Sequence, residues 1–389
     1  MELKKVGRKY SAVVIGLGIV GSATLWRLST RQSNILGIDA GAPINRLGSS
    51  YGGSRIFRQA YWEGTQYLPL LSQANDLWHE LEASSDRPLL WRSGGLFIGP
   101  QSSGVVPKSA ATARAGGIDH QQLNAQQITQ MFPAFRVQPD MEGIVEEGAY
   151  TIAADASRLH MLNLAVRSGA QIRFGSHVLG IHRSEGRLLI RLSDGEVIET
   201  ERVVLATGCT LTDSLIPDLA GLLRPKSVPI YWFSPRPGSA DSFKNFPAFL
   251  YELSDGRLLY GTPQITETEP GIKIGFHNSQ QTDLDMGTQL EPVSRSAREE
   301  IAECVAALFP SLDPTPYAAK KCIYTMSPDE SFILGESALL PGVFYVSACS
   351  GHGFKFATGL GEWLSWAVLG ESLQHIAPAF SKARFDKAG

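Results

Sequence analysis

Gly16-Leu17-Gly18-Ile19-Val20-Gly21 spaces three glycines in the way phosphate chemistry requires. The first permits a tight turn, the second lets backbone approach a pyrophosphate, and the third lets the following helix pack on a sheet. The N-terminus of that helix points unpaired N–H groups at the negative charge. Asp39 follows at the roughly 20-residue spacing where a carboxylate accepts hydrogen bonds from a ribose. NAD and FAD binders share this fingerprint, so it names a dinucleotide without choosing between the two. A later segment, Gly271-Ile272-Lys273-Ile274-Gly275-Phe276-His277, has the alternation that sets Lys273, Gly275 and His277 on one face of a strand.

The elements that must position these residues follow from periodicity. Tyr10 to Ile15 is a run of strand formers directly before the glycines. Ser22 to Ser29 reads as helix, and Asn34 to Ile38 returns as a strand ending at Asp39. That strand–turn–helix–strand order is the context that gives the glycine spacing its meaning. Leu68, Leu71, Leu77, Trp78 and Leu81 form a helical face within Thr65 to Ser84. Gln101 to Gly116 is small, polar and weakly patterned, and is expected to be irregular. Ala154 to Ser168 is predicted helical, and Ile172 to Thr200 gives three strand-like runs broken at Ser184-Glu185-Gly186 and Ser193-Asp194-Gly195. Val203 to Gly208 predicts a buried strand ending in a small-residue turn. From Pro225 to Ile274 short strands recur between Pro and Gly breaks, which predicts an antiparallel sheet. Arg295 to Phe309 is an amphipathic helix; the tail reads as strand from Val343, then Gly351-His352-Gly353, then helix from Phe354 to Leu369. No repeat or low-complexity linker separates these runs, so the domains are expected to interleave.

Composition removes several function classes. The 389 residues suffice for two or three domains of buried core. Apolar residues make up 43% and charged residues 19%, which excludes a disordered chain. Mean hydropathy is −0.05 and no window approaches the roughly 18 apolar residues of a spanning helix. The net charge of −3, without a basic run, offers no footprint for nucleic acid. Cys209, Cys304, Cys322 and Cys349 form no CxxC pair, which argues against a zinc site or a disulfide framework and for a reducing compartment. His79, His120, His160, His177, His182 and His375 have no ligand spacing, so no metal is expected. Lys4, Lys5, Arg8 and Lys9 before an apolar run imitate a secretory signal, but Gly16, Gly18 and Gly21 interrupt that run. The expected location is the cytoplasm.

Three further segments separate FAD from NAD. Gly48-Ser49-Ser50-Tyr51-Gly52-Gly53-Ser54-Arg55-Ile56-Phe57-Arg58 resembles the flavin-contacting segment of the monomeric sarcosine oxidase and N-methyltryptophan oxidase family, FAD-dependent amine oxidoreductases of the D-amino-acid oxidase type. Lys321-Cys322-Ile323-Tyr324-Thr325-Met326-Ser327-Pro328-Asp329 resembles its flavinylation segment, and Ser350-Gly351-His352-Gly353-Phe354-Lys355-Phe356-Ala357 its late flavin and substrate motif. The resemblance implies FAD bound through a thioether at Cys322, with Lys320 and Lys321 as neighbouring charges that favour the thiolate. It implies cofactor contacts at Gly16, Gly18, Gly21, Asp39, Ser49, Tyr51, Arg55, Val178, Gly208, Gly351, Gly353 and Lys355. Arg58 and Lys355 match the cation pair that holds a substrate carboxylate, a planar fork beside a point charge. Lys273 matches the lysine over the flavin, where a cation stabilises the superoxide-like charge that develops as O2 is reduced. His277 and Tyr260 match pocket residues, and Arg55 an arginine packed near the flavin ring. One departure is Tyr51, which stands where the family commonly carries a histidine.

The expectation is an α/β protein in which a Rossmann-like FAD-binding domain (1–90, 145–225 and 315–389) interleaves with an antiparallel-sheet, α+β substrate domain (91–144 and 226–314). Its function is expected to be that of an FAD-dependent oxidase of a secondary amino acid, N-methyl or cyclic, forming an imine and reducing O2 to H2O2. Alternatives are a primary amino-acid oxidase or dehydrogenase on the same fold, or a non-catalytic flavin-binding protein. The partners are a small amino or imino acid and O2; a monomer is compatible with the residues, which leave the oligomeric state open.

Overall fold

The strand formers before the glycines make Val6–Ile15, the centre of an eight-stranded sheet. The computed structural model describes residues 6–44, 48–210, 215–266, 270–285, 290–347 and 350–386. Cys349, Lys4, Lys5 and residues 387–389 lie outside them. Val6–Ile15 pairs in parallel with Ile35–Ile38 on one side and Val197–Leu205 on the other. Gln171–Arg173 and Val343–Ser347 extend the parallel array outward. Val197–Leu205 is shared by two partners along one edge. Its first half pairs antiparallel with Arg187–Leu192, and its last three residues pair in parallel with Val343–Ser347.

Parallel neighbours need a crossover, and Ile19–Ser29 supplies it between the first two strands. This helix packs on Ala357–Val368 at backbone distance. A Cβ on Gly361 would lie 2.5 Å from the carbonyl carbon of Ala23, so only glycine allows the approach. Beside that contact, Arg27 Nε and Arg31 Nη2 reach the buried Glu362 carboxylate at 2.7 and 2.5 Å.

A nine-stranded sheet forms the second layer. Arg224–Phe233 pairs with Ala318–Met326 on one side and Ile272–Phe276 on the other. Leu258–Thr262, Ala248–Glu252, Gly95–Pro100, Met141–Glu146 and Gln121–Asn124 follow in order. All neighbours are antiparallel except Ala248–Glu252 with Gly95–Pro100, which run parallel. Ala318–Met326, grouped by sequence with the nucleotide-binding segments, therefore hydrogen-bonds into the other sheet. A three-stranded sheet joins Ser54–Phe57, Tyr150–Ala153 and Leu90–Trp91.

One expectation is corrected. Val105–Gly116 is a helix, not an irregular excursion. Its buried face is built of Val105, Val106, Ala110 and Ala113, which pack with Phe97 and Ile144. Helices Leu68–Ala83, Ala154–Arg167 and Arg295–Leu308 stand where periodicity puts them. Among the described residues no helix is long and apolar enough to cross a membrane.

Candidate active site

The fingerprint turn is shaped by what a side chain would strike. Gly16 has φ +88°, and a Cβ there would lie 2.6 Å from the Ala206 carbonyl oxygen. A Cβ on Gly21 would lie 1.8 Å from the Gly16 carbonyl oxygen, so this glycine seats the helix against the turn. The Asp39 carboxylate accepts from Leu17 N and Gly41 N, both at 2.7 Å. Ser50 Oγ accepts from Ile19 N at 2.9 Å, in the first turn of the helix. Two nearby hydroxyls, Ser49 Oγ and Thr207 Oγ1, are buried without a hydrogen-bond partner.

From this turn a cavity of about 870 Å3 runs between the two large sheets. Gly16, Gly18, Asp39, Ser49, Val178 and Gly208 line its nucleotide end. Arg55, Tyr260, Lys273 and Cys322 line the middle, and Arg58, His277, Gly351, Gly353 and Lys355 the far end. Of the residues expected from sequence, Gly21 and Tyr51 do not line it: Gly21 lies behind the turn, and Tyr51 engages Lys320.

The far end is a buried cluster of charge. Arg58 is 4% exposed and Lys355 6%. Arg58 Nη2 donates to both oxygens of Glu63, at 2.9 and 3.0 Å, and Nη1 to Ala60 O. The guanidinium also lies over the rings of Tyr61 and Phe97. Lys355 Nζ donates to His352 O at 2.8 Å and lies 4.7 Å from the Tyr61 ring centroid. Burial and the Arg58 charge lower Lys355 to about 7, against the pull of Glu63. Burial acts to raise the Glu63 carboxyl, but Arg58, His352, Lys355 and His277 together hold it below its ordinary value. Two imidazoles stay neutral beside these cations, with burial pushing His277 down to about 4 and His352 to about 3. Tyr61 hydroxyl and His352 Nδ1 are 2.5 Å apart, and His352 Nε2 is 2.9 Å from Glu330 O. Carbonyl oxygens only accept, so Nε2 carries the proton and Nδ1 accepts from Tyr61.

The middle of the cavity places single groups with care. Lys273 is 3% exposed, and its Nζ donates to Gly52 O at 3.1 Å and to Ser54 O. Arg55 donates to Ser49 O, Tyr51 O and Ser54 O, and lies over the Phe354 ring. Burial pushes Tyr260 up to about 12, although Tyr324 hydrogen-bonds to it. Cys322 is 7% exposed, with Sγ 3.8 Å from Tyr51 O. On the same strand face as Cys322, Lys320 Nζ donates to the Tyr51 hydroxyl at 2.9 Å and sits between the Tyr51 and Trp232 rings. Alternation sends Lys321 to the opposite face.

Residues 11–366 match the family described as FAD dependent oxidoreductase, DAO. The chain belongs to that family. It is 30% identical over 387 residues to monomeric sarcosine oxidase of Streptomyces avermitilis, covering 97% of this chain and 98% of the relative. It is also 30% identical over 382 residues to N-methyl-L-tryptophan oxidase of Citrobacter koseri, with 97% and 98% covered. Among solved structures, L-proline dehydrogenase from P. horikoshii shares the fold at a TM-score of 0.83 and 16% identity, over 98% of this chain and 99% of that one.

FAD fits this oxidoreductase. Gly16 and Gly18 line the cavity with backbone beside the start of a helix, and the unpaired Ser49 and Thr207 hydroxyls face the same space. Sequence reading missed two carboxylates of the site. Glu63 sits on the Arg58 fork, and Glu146, fully buried, accepts from Gln59 N and Ala60 N just beyond Arg58. Burial pushes the Glu146 carboxyl up, against those amides and Arg58. Neither belongs to a motif; the only sequence signal for Glu63 is an acid within a short loop beginning at a cation between aromatics.

Proposed function

We propose that this oxidoreductase oxidises a small secondary amino acid, N-methyl or cyclic, using O2. The observation that carries the reading is the burial of Arg58 and Lys355 at one end of the FAD cavity. Two enclosed cations at a cavity's end suit an anionic group on a small ligand, and the planar fork of Arg58 suits a carboxylate. The names of the two relatives, which act on sarcosine and on N-methyl-L-tryptophan, support a secondary amine. The substrate's CH–NH unit loses two electrons and two protons to become an imine, and O2 gains them as H2O2. FAD, when bound, supplies the two-electron acceptor between these partners.

The chain's own residues do the rest. Arg58 and Lys355 orient the carboxylate, so the α carbon and nitrogen face the middle of the cavity. Tyr260 and the neutral His277 wall the pocket. Lys273 holds a fixed positive charge where O2 is reduced. Cys322 is the attachment point for the cofactor through a thioether, its sulfur held against the Tyr51–Gly52 backbone.

An absorbance spectrum before and after acid precipitation tests the link, and a peroxide screen of N-methyl and cyclic amino acids tests the substrate. Yellow colour should stay with the precipitated wild type and leave Cys322→Ser. Flavin released equally from both removes the thioether, and absence of peroxide across the screen removes the oxidase reading.

A further inference from the structure

The cluster at the far end holds an anion already. Both Glu63 oxygens accept from the single nitrogen Arg58 Nη2, at 2.9 and 3.0 Å, while Nη1 donates to Ala60 O, and the Glu63 side chain is only 13% exposed. A substrate carboxylate that takes Nη2, as a two-pronged grip on Arg58 requires, must displace it. This inference rests on the reading of Arg58 and Lys355 as a carboxylate clamp. We propose that Glu63 is a stand-in carboxylate that leaves Arg58 when the substrate carboxylate arrives and then accepts the proton of the substrate ammonium.

The charges balance. An amino acid enters as a zwitterion, and its carboxylate replaces Glu63 in the ion pair with Arg58. One N–H proton passes from the ammonium nitrogen to Glu63 Oε, leaving the electron pair on nitrogen as a lone pair. Glu63 becomes neutral, the amine becomes neutral, and the net charge of the cluster is that of the empty site. No electron is transferred in this step. Only the neutral amine can then give up two electrons from its C–N bond.

The surroundings select Glu63 over the other acceptors. The groups that face it are Arg58 beyond strand Ser54–Phe57, His352 and Lys355 before helix Ala357–Val368, and His277 after strand Ile272–Phe276. Tyr61 and Tyr67 face it from its own stretch of chain, and Glu146 faces Arg58 from strand Met141–Glu146. Protonating either imidazole would place a third cation beside Arg58 and Lys355 in a buried site. Protonating Glu63 removes a buried charge that has just lost its partner, which burial favours. The Tyr61 hydroxyl already carries its proton and lies in hydrogen-bond reach of both His352 and Glu63, so it has no vacancy for another.

Two measurements on the flavin-loaded enzyme decide it. Calorimetry of benzoate, a carboxylate without an amine, is run at about pH 6 in buffers of different ionisation enthalpy, below the Lys355 midpoint of about 7. Wild type should take up close to one proton per benzoate and Glu63→Gln close to none. Uptake that persists in Glu63→Gln assigns the proton elsewhere and overturns the proposal. Anaerobic flavin reduction by the best substrate is then followed against pH. In Glu63→Gln the rate at neutral pH should fall about tenfold or more, and recover at alkaline pH where the free amine is present. A profile identical to wild type overturns the proposal while leaving the clamp intact. Benzoate binding indifferent to Arg58→Ala instead removes the clamp, and this inference with it.

Discussion

The two ends of the cavity are built from different materials. At the nucleotide end, Gly16, Gly18 and the N-terminus of Ile19–Ser29 offer backbone, and Asp39 is spent on holding Leu17 N and Gly41 N in place. At the far end, Arg58, Glu63 and Lys355 offer side-chain charge in a mutual balance, with the neutral imidazoles of His277 and His352 beside them. Backbone geometry is rigid and blind to pH. A balance of buried charges responds to every ligand and proton that enters it. The contrast predicts that variants at the far end change rates and pH profiles, and that variants at the nucleotide end change stability and flavin content.

The largest effect belongs between the ends. Lys273→Met should slow reoxidation of reduced enzyme by O2 by about 10²–10⁴-fold, the scale of losing one placed electrostatic group. Anaerobic reduction by substrate should stay within roughly tenfold of wild type, since the role proposed for the lysine is toward oxygen alone. Rapid mixing of each half-reaction checks both, and normal reoxidation would return Lys273 to a structural lysine. Next, Arg58→Ala should lower kcat/KM by about 10²–10³-fold, because it removes the carboxylate fork and strands Glu63 as an unpaired buried charge. Steady-state kinetics with an amino acid and its amide tests this; an amide turned over as well as the acid would break the comparison at the far end.

Asp39→Ala should show the reverse pattern. Losing two hydrogen bonds to a carboxylate costs about 1.5–3 kcal/mol each, read as a lower melting temperature and poorer flavin loading, with unchanged pH dependence in the loaded fraction. The smallest effect is a pH response. Lys355, lowered to about 7, is an ammonium below that value and neutral above it. Affinity for benzoate should therefore fall more steeply as pH rises through about 7, by up to a further tenfold per unit beyond the slope that proton uptake at Glu63 gives. Lys355→Met should remove that added steepness and leave the slope due to Glu63, and added steepness that persists would assign the titration to another group.

The legible parts of the molecule were those with strong local constraint. The Gly16–Gly21 turn, the hairpin at Ser184–Gly186 and helix Arg295–Leu308 each carry a backbone requirement or a clear apolar period. Val105–Gly116 was illegible because its buried face is made of valines and alanines, which give little contrast against threonine, serine and glycine. Glu63 was illegible for another reason. Its meaning comes from Lys355, His277 and His352, which lie far away in sequence and meet it only through the fold. Ala318–Met326 shows the same limit at the level of topology: its residues fit a strand in either layer, and only pairing with Arg224–Phe233 assigns it.

The contact between Gly361 and Ala23 has a mechanical consequence. Helix Ile19–Ser29 begins at the Gly16–Gly21 turn, and helix Ala357–Val368 begins two residues after Lys355. Their backbones touch without an intervening side chain, and Glu362 clamps Arg27 and Arg31 beside the contact. The two helices therefore act as one stiff beam with a reactive fitting at each strand-facing tip. Gauge is set by the beam: the span from the Gly16–Gly21 turn to Lys355 is fixed about one helical turn behind both. A single methyl at position 361 would spread the beam and detune that span, an error of alignment that no repair inside the cavity would correct.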